Sequence, residues 1–334
     1  MFLGGNVSWT PGGLRGFGRQ ALRGLSQVLF RTDGRTGALF CVALCTVDWR
    51  YGAYALGGAA LGTAIARLLG TTRERAGSGL DGLNPALFAL GCAALLGPAR
   101  PATALLAAAG CVVVTIATAA LSRLLSVWQL PALTAPFCLA ATALTTAAPA
   151  FERLRPPPGG TPALAATPAA LPPDVIAQAF FHTIAQILFL DRWYAGALLL
   201  AALFLANRTA GWVACAGSAT GVLTAWALGA PTARVADGTL GCNAVLTALA
   251  LCGALLPATP ATLPYALLGA ATATAVTPAV AALAGGHAFT WPFVLTTLAF
   301  LLAARSFPRL TASRGRRRGN PLAVRRRLRL PSAP

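Results

Sequence analysis

The sequence predicts an all-α polytopic membrane protein. It is expected to hold two inverted repeats of about five transmembrane helices each, with short discontinuous or re-entrant helices at a pore. Three observations predict this: composition, an internal duplication, and apolar runs broken by Gly and Pro. Of 334 residues, 56% are hydrophobic and 10% charged, whereas a soluble domain carries about 25% charged residues. Apolar runs recur at Ala102 to Ala120, Ala132 to Ala148, Ala195 to Ala206, Leu263 to Leu283 and Phe289 to Ala304. About 20 such residues span a bilayer as a helix. The first residues lack the long apolar segment and cleavage site of a secretory signal, so the first span is expected to direct insertion.

The duplication appears when the chain is shifted by 159 residues against itself. Gln27 then meets Gln186, Phe30 meets Phe189, and Gly37 meets Gly196. Gly79, Gly82, Asn84 and Leu87 meet Gly238, Gly241, Asn243 and Leu246. A shift of 156 pairs "LTAPF" (Leu133 to Phe137) with "FTWPF" (Phe289 to Phe293). Biased composition gives chance matches of Ala and Leu, but it does not keep Gln, Phe, Gly and Asn in register.

Each half holds about five runs. In the first they lie near 36–48, 52–70, 83–98, 102–122 and 132–150. In the second they lie near 195–206, 210–229, 240–256, 261–284 and 289–304. An odd number of crossings inverts the second half and places a pseudo-two-fold axis in the membrane plane. The predicted units are a first repeat over 1–150, a Pro/Ala-rich linker over 151–174, a second repeat over 175–304 and an Arg-rich tail over 305–334. The stretch "RPPPGG" in the linker cannot be helical. Several runs fall short of a full span, which fits helices that cross half the bilayer.

Net charge is +18, with no Lys, and ten of the 26 Arg lie between Arg305 and Arg329. By the positive-inside rule this is a cytoplasmic tail touching anionic lipid, so both termini are expected in the cytoplasm and the chain in the cytoplasmic (inner) membrane. The tail has no aromatic residue after Phe307 to stack on bases, and no nucleic-acid partner is expected. The eight Cys sit in apolar surroundings with no CxxC and no Cys/His cluster. They read as small buried side chains, and neither metal nor cofactor is expected. The eight acids lie at run ends or in loops, and Asp81 pairs with Leu240 in the repeat. Neither His182 nor His287 has a repeat partner, and both are expected at helix ends with ordinary hydrogen bonds. No catalytic set is visible, so no enzyme is expected.

What the repeat preserves is polar but neutral. Gln27 and Gln186 each precede an aliphatic residue (Val28, Ile187) and then a Phe. Thr134 and Thr290 each stand two residues before a Pro, which frees a carbonyl one turn earlier. Hydroxyls and carbonyls there are expected to form a row of acceptors. Asn84 and Asn243 either belong to the site or bond the backbone where a helix breaks. Amide oxygens and hydroxyls walled by Phe30 and Phe189 suit a small, flat, neutral solute with several N–H donors. The alternative is an ion-coupled secondary transporter of a small polar metabolite, which normally keeps an ionisable group inside the membrane.

At these residues the chain resembles the urea transporter family. The matching motifs are "RGLSQVLF" (Arg23 to Phe30), "GLDGLNPAL" (Gly79 to Leu87), "WQLPALTAPF" (Trp128 to Phe137), "AQILFLD" (Ala185 to Asp191), "GTLGCNAVL" (Gly238 to Leu246) and "FTWPF". The resemblance covers about residues 15 to 305. It implies a homotrimer, with a pore in each protomer conducting urea, and with it small amide analogues, passively. It places the ends of an oxygen ladder near Gln27 and Gln186 and its middle near Thr134 and Thr290. The slot walls it implies include Val28, Phe30, Ile187, Phe189, Leu87 and Leu246. The family usually has an aromatic before each motif Asn, and here those positions are Leu83 and Cys242. Smaller plates imply a wider slot, open to methylurea, formamide, acetamide or more water.

Overall fold

The computed structural model describes residues 13–72, 77–151 and 173–311. Among them all regular elements are helical and no strand occurs. Each half opens with a helix that stops at its glutamine. Helix α1 (Gly13–Ser26) tightens into a 3-10 turn over Gln27–Leu29, which ends on Phe30. Helix α7 (Pro173–Ala185) does the same over Gln186–Leu188 and ends on Phe189. Both Phe residues are left-handed, with φ of 58° and 57°. Their N–H groups donate to Gln27 O at 2.9 Å and Gln186 O at 3.1 Å, and those of Arg31 and Leu190 donate to Ser26 O and Ala185 O. These bonds take up carbonyls that a helix end leaves orphaned.

The chain then turns back into α2 (Gly34–Val47) and α8 (Trp193–Ala206). In the second half the two helical arms are bent by 77° at the break. The return is tight enough to require glycine: a Cβ on Gly37 would overlap the Leu22 carbonyl, and one on Gly196 the Phe181 carbonyl. Helices α3 (Trp49–Leu68) and α9 (Arg208–Ala227) start at once, capped by the repeat-related Asp48 and Asn207. Each cap is extended and accepts from a first-turn N–H, of Arg50 or Ala210.

The first half continues with α4 (Leu80–Leu96), α5 (Pro101–Ser126) and α6 (Ala135–Ala147). The second continues with the short α10 (Thr232–Ala236), then α11 (Cys242–Leu249), α12 (Thr262–Leu283), α13 (Trp291–Ala304) and the single turn α14 (Pro308–Thr311). Helices α5 and α12 are long and apolar enough to cross a bilayer alone. Helices of 10–17 apolar residues make up much of the rest. The chain is therefore a multi-pass helical membrane protein, but not one of ten simple spans. In the run near 240–256, α11 passes after Leu249 into a π-helical segment over Ala250–Ala254, in which Cys252 and Gly253 leave helical geometry, Gly253 at φ 117°. The equivalent α4 carries Ala93 and Ala94 there and runs on to Leu96.

Helices α2 and α8, equivalent in the repeat, pack against each other. One apolar core runs through both halves and includes Leu25, Leu87, Ile187 and Leu246. Most of the predicted linker, 152–172, and the tail from 312 onward lie outside the described residues. The start of the tail is packed: Leu310 is buried, and Arg305 Nη2 donates to the carbonyls of Trp128 at 2.6 Å and Gln129 at 3.1 Å.

Candidate permeation site

Five non-glycine residues among those described have positive φ: Phe30, Gln129, Leu133, Phe189 and Phe289. Four of them form two repeat-related pairs, Phe30/Phe189 and Leu133/Phe289. A left-handed residue with a side chain costs about 1–2 kcal/mol. Strain kept at equivalent places in both halves makes these turns candidates for a functional site.

The asparagines hold that strain in place. Asn84 Nδ2 donates to Leu133 O at 3.2 Å, and its Oδ1 accepts from Phe137 N at 3.3 Å. Asn243 does the same with Phe289 O at 3.0 Å and Phe293 N at 3.2 Å. Of the two roles open to them, they fill the backbone one. They join the N-terminal parts of α4 and α11 to the entries of α6 and α13.

Those entries bring Thr134 and Thr290 together. Their hydroxyl oxygens lie 2.7 Å apart, although 156 residues separate them, and Cys138 Sγ is 3.0 Å from Thr290 Oγ1. A residue that touches its own repeat partner sits where the halves meet. The freed carbonyls differ from expectation. Pro136 and Pro292 fall in the first turn of their helices, where a missing N–H breaks no bond. The carbonyls of Ala132 and Ala288 accept from Ala135 and Trp291 N–H, and those of Leu133 and Phe289 accept from the asparagines. The row of acceptors at the centre thus already carries one bond at each of these carbonyls.

Aromatic rings cross between the halves in a reciprocal way. Phe30 meets Phe293 edge-on at 6.1 Å, and Phe189 meets Phe137 at 6.0 Å. Phe137 also meets Phe289 at 5.7 Å. The exchange of i with j, and of the partner of i with the partner of j, is the pattern a two-fold relation produces. Phe137, Phe289 and Phe293 were not among the wall residues expected from sequence. Their signal was the pairing of "LTAPF" with "FTWPF". Val28, Leu83, Leu87, Ile187 and Leu246 are all buried in the same core, with Phe30, Phe189 and Cys242 half-buried against it. The Cys242 thiol points back to Thr239 O at 3.3 Å.

The glutamines differ. Gln27 is 9% exposed, and its Nε2 donates to Ser78 O at 2.9 Å. Gln186 is half-buried, with no side-chain hydrogen bond among the described residues. None of the predicted site residues is charged. Asp81 stands at a run end, in the first turn of α4, where it is buried and accepts from Thr71 Oγ1 at 3.1 Å. His287 stacks on Phe289 at 5.6 Å, an aromatic contact in place of the hydrogen bond expected for it. No cluster of metal-ligating side chains and no disulfide is present among the described residues.

The sequence profile described as "Urea transporter" matches residues 19–305. Over 298 residues the chain is 30% identical to "Urea transporter 1" of Ovis aries, an alignment covering 86% of this chain and 77% of that protein. It is 30% identical to "Urea transporter 1" of Capra hircus and 28% identical to that of Rattus norvegicus, with the same coverage. The matched span begins within α1, ahead of Gln27, and ends one residue past α13, so it takes in both glutamines, both threonines and all the crossed rings: this chain belongs to the urea transporter family.

Proposed function

We propose that the chain conducts urea passively, through a slot of its own in each protomer. The observation that carries this is the meeting of Thr134 and Thr290 at 2.7 Å between reciprocally crossed Phe pairs. Urea is flat and has four N–H donors and one carbonyl. Rings suit its faces, and oxygens suit its edges. Gln27 and Gln186 stand at the two ends of this path and Thr134 with Thr290 at its middle. Val28, Phe30, Leu83, Leu87, Ile187, Phe189, Cys242 and Leu246 form its walls. A neutral lining offers nothing to replace the hydration shell of an ion. Weak, repeated hydrogen bonds of about 0.5–1.5 kcal/mol net let the solute enter and also leave.

In this reading the two halves are inverted about an axis in the membrane plane, and both termini face the cytoplasm. The protein sits in the cytoplasmic membrane as a homotrimer in contact with lipid, and it performs no catalysis. Small amides are admitted to the extent that Leu83 and Cys242 leave the slot wide. Coupling to an ion gradient is disfavoured by position. The single buried acid among the described residues, Asp81, has Leu240 as its repeat counterpart and lies at a helix start.

Stopped-flow reswelling of proteoliposomes tests the proposal. Urea should equilibrate at the same rate with and without an uncoupler or a sodium gradient. A rate that follows either gradient overturns the passive reading.

A further inference from the structure

We infer that the two glutamines are chemically different ends of the path: Gln27 is a locked acceptor, while Gln186 is a free rotor. This rests on the slot reading above and adds to it the groups that set each amide. Arg23 and Gln27 are one turn apart at the end of α1, so they share a face. Arg23 Nη1 donates to Gly77 O at 2.9 Å, and Gln27 Nε2 donates to Ser78 O at 2.9 Å. Two successive carbonyls ahead of α4 thus hold two side chains one turn apart, Arg23 of α1 and Gln27 of the 3-10 turn that follows it. With its NH2 spent on Ser78, the Gln27 amide can present only its oxygen. Arg23 is a positioning residue, because it steadies the strand of backbone that holds the amide.

Among the described residues the second half lacks this device. The position equivalent to Arg23 is His182, and that equivalent to Ser78 is Asp237. The Asp237 carboxylate is used locally, accepting from Thr239 N at 2.9 Å and Thr239 Oγ1 at 2.6 Å. No bond from Gln186 reaches it. The Gln186 amide is free to offer either its oxygen to an N–H or its NH2 to a carbonyl. One end of the path therefore selects for donors, and the other tolerates both edges of the solute.

Replacing each amide with a carboxylate separates the two ends. Q27E loses the donor to Ser78 and sets a negative oxygen against a carbonyl. Q186E keeps an acceptor and breaks no bond. At neutral pH urea flux through Q27E should fall roughly tenfold or more, while flux through Q186E should fall less, because no bond within the protein holds that amide. Acid should rescue Q27E reversibly in the same vesicles. A protonated carboxyl has the shape of the amide and restores an O–H donor to Ser78 O. The other charged groups on the elements packed against Gln27 are Arg15, Arg19 and Arg23 of α1 and Asp81 of α4. The parent is measured at each pH as the control. A misassembled protein would not recover flux on acidification. The Arg23 role is read from R23K and R23M, for which the urea-to-acetamide ratio should fall more in R23M than in R23K.

Q27L and Q186L keep the two readings apart. If both conduct urea at the parent rate, the slot assignment itself fails. If they slow conduction but Q27E and Q186E behave alike, without acid rescue of Q27E, the slot stands and the locked amide is refuted.

Discussion

Replacing both central threonines with valine should leave the fold nearly intact and slow urea strongly. Valine keeps the shape of threonine and removes only the hydroxyl. In the parent the two hydroxyls satisfy each other at 2.7 Å, with the Cys138 thiol 3.0 Å from Thr290. A single T134V or T290V strands one buried hydroxyl, because both residues are about 5–6% exposed. Stranding a polar group costs about 1–3 kcal/mol. The thiol remains as a weak partner, so the low end, about 1 kcal/mol, is expected for each single variant. The double variant removes both members, and loss of both partners can be nearly neutral. Its stability should lie above the sum of the two singles, a coupling that thermal unfolding of the purified protein in detergent can measure. Flux should behave in the opposite way. An N–H passing the centre of the slot would meet no hydroxyl oxygen there, at a cost of about 1–3 kcal/mol. At roughly 1.4 kcal/mol per factor of ten, that is a five- to hundredfold slower rate. Stopped-flow light scattering on vesicles of matched protein content gives the number. A stable double variant that conducts at the parent rate would remove the threonine pair from the path and refute the reasoning.

Replacing Gln27 or Gln186 with Leu should slow urea on the order of tenfold, since a desolvated N–H loses its acceptor at one end; the same flux assay checks it. Asn84→Ala or Asn243→Ala each strands a carbonyl and an N–H at a strained turn. Each should destabilise the protein by about 2–4 kcal/mol and lower the yield of assembled protein, as read by size-exclusion chromatography. Leu83→Phe or Cys242→Phe should narrow the slot and raise the ratio of urea to acetamide flux, because a methyl group is thicker than a planar amine. An unchanged ratio in both would take these positions out of the wall.

Much of this was written along the chain. Composition alone determined that the protein lives in a membrane, because burial in lipid demands apolar helices whatever their partners. The register of Gln27 with Gln186 and of Phe30 with Phe189 was plain in the sequence, and the structure gives both pairs the same 3-10 turn closed by a left-handed Phe. Such features are local: a helix end, its closing bonds and the residues that tolerate them lie within a few positions of one another. The same holds for the matched caps Asp48 and Asn207.

Other features needed the chain to return on itself. The sequence showed two threonines near prolines, but only the packing of α6 beside α13 put their oxygens in contact. It suggested carbonyls freed by Pro136 and Pro292, yet the placement of those prolines in first turns, together with two distant asparagines, left those carbonyls already bonded. It paired Gln27 with Gln186 as equals, and the tertiary structure separated them. A hydrogen bond across 51 residues holds one amide and has no counterpart at the other among the described residues. The repeat fixed which residue types recur, because duplication copies sequence. Which of their polar groups remain available was decided by long-range packing, because a donor is spent only when a partner arrives from elsewhere in the fold.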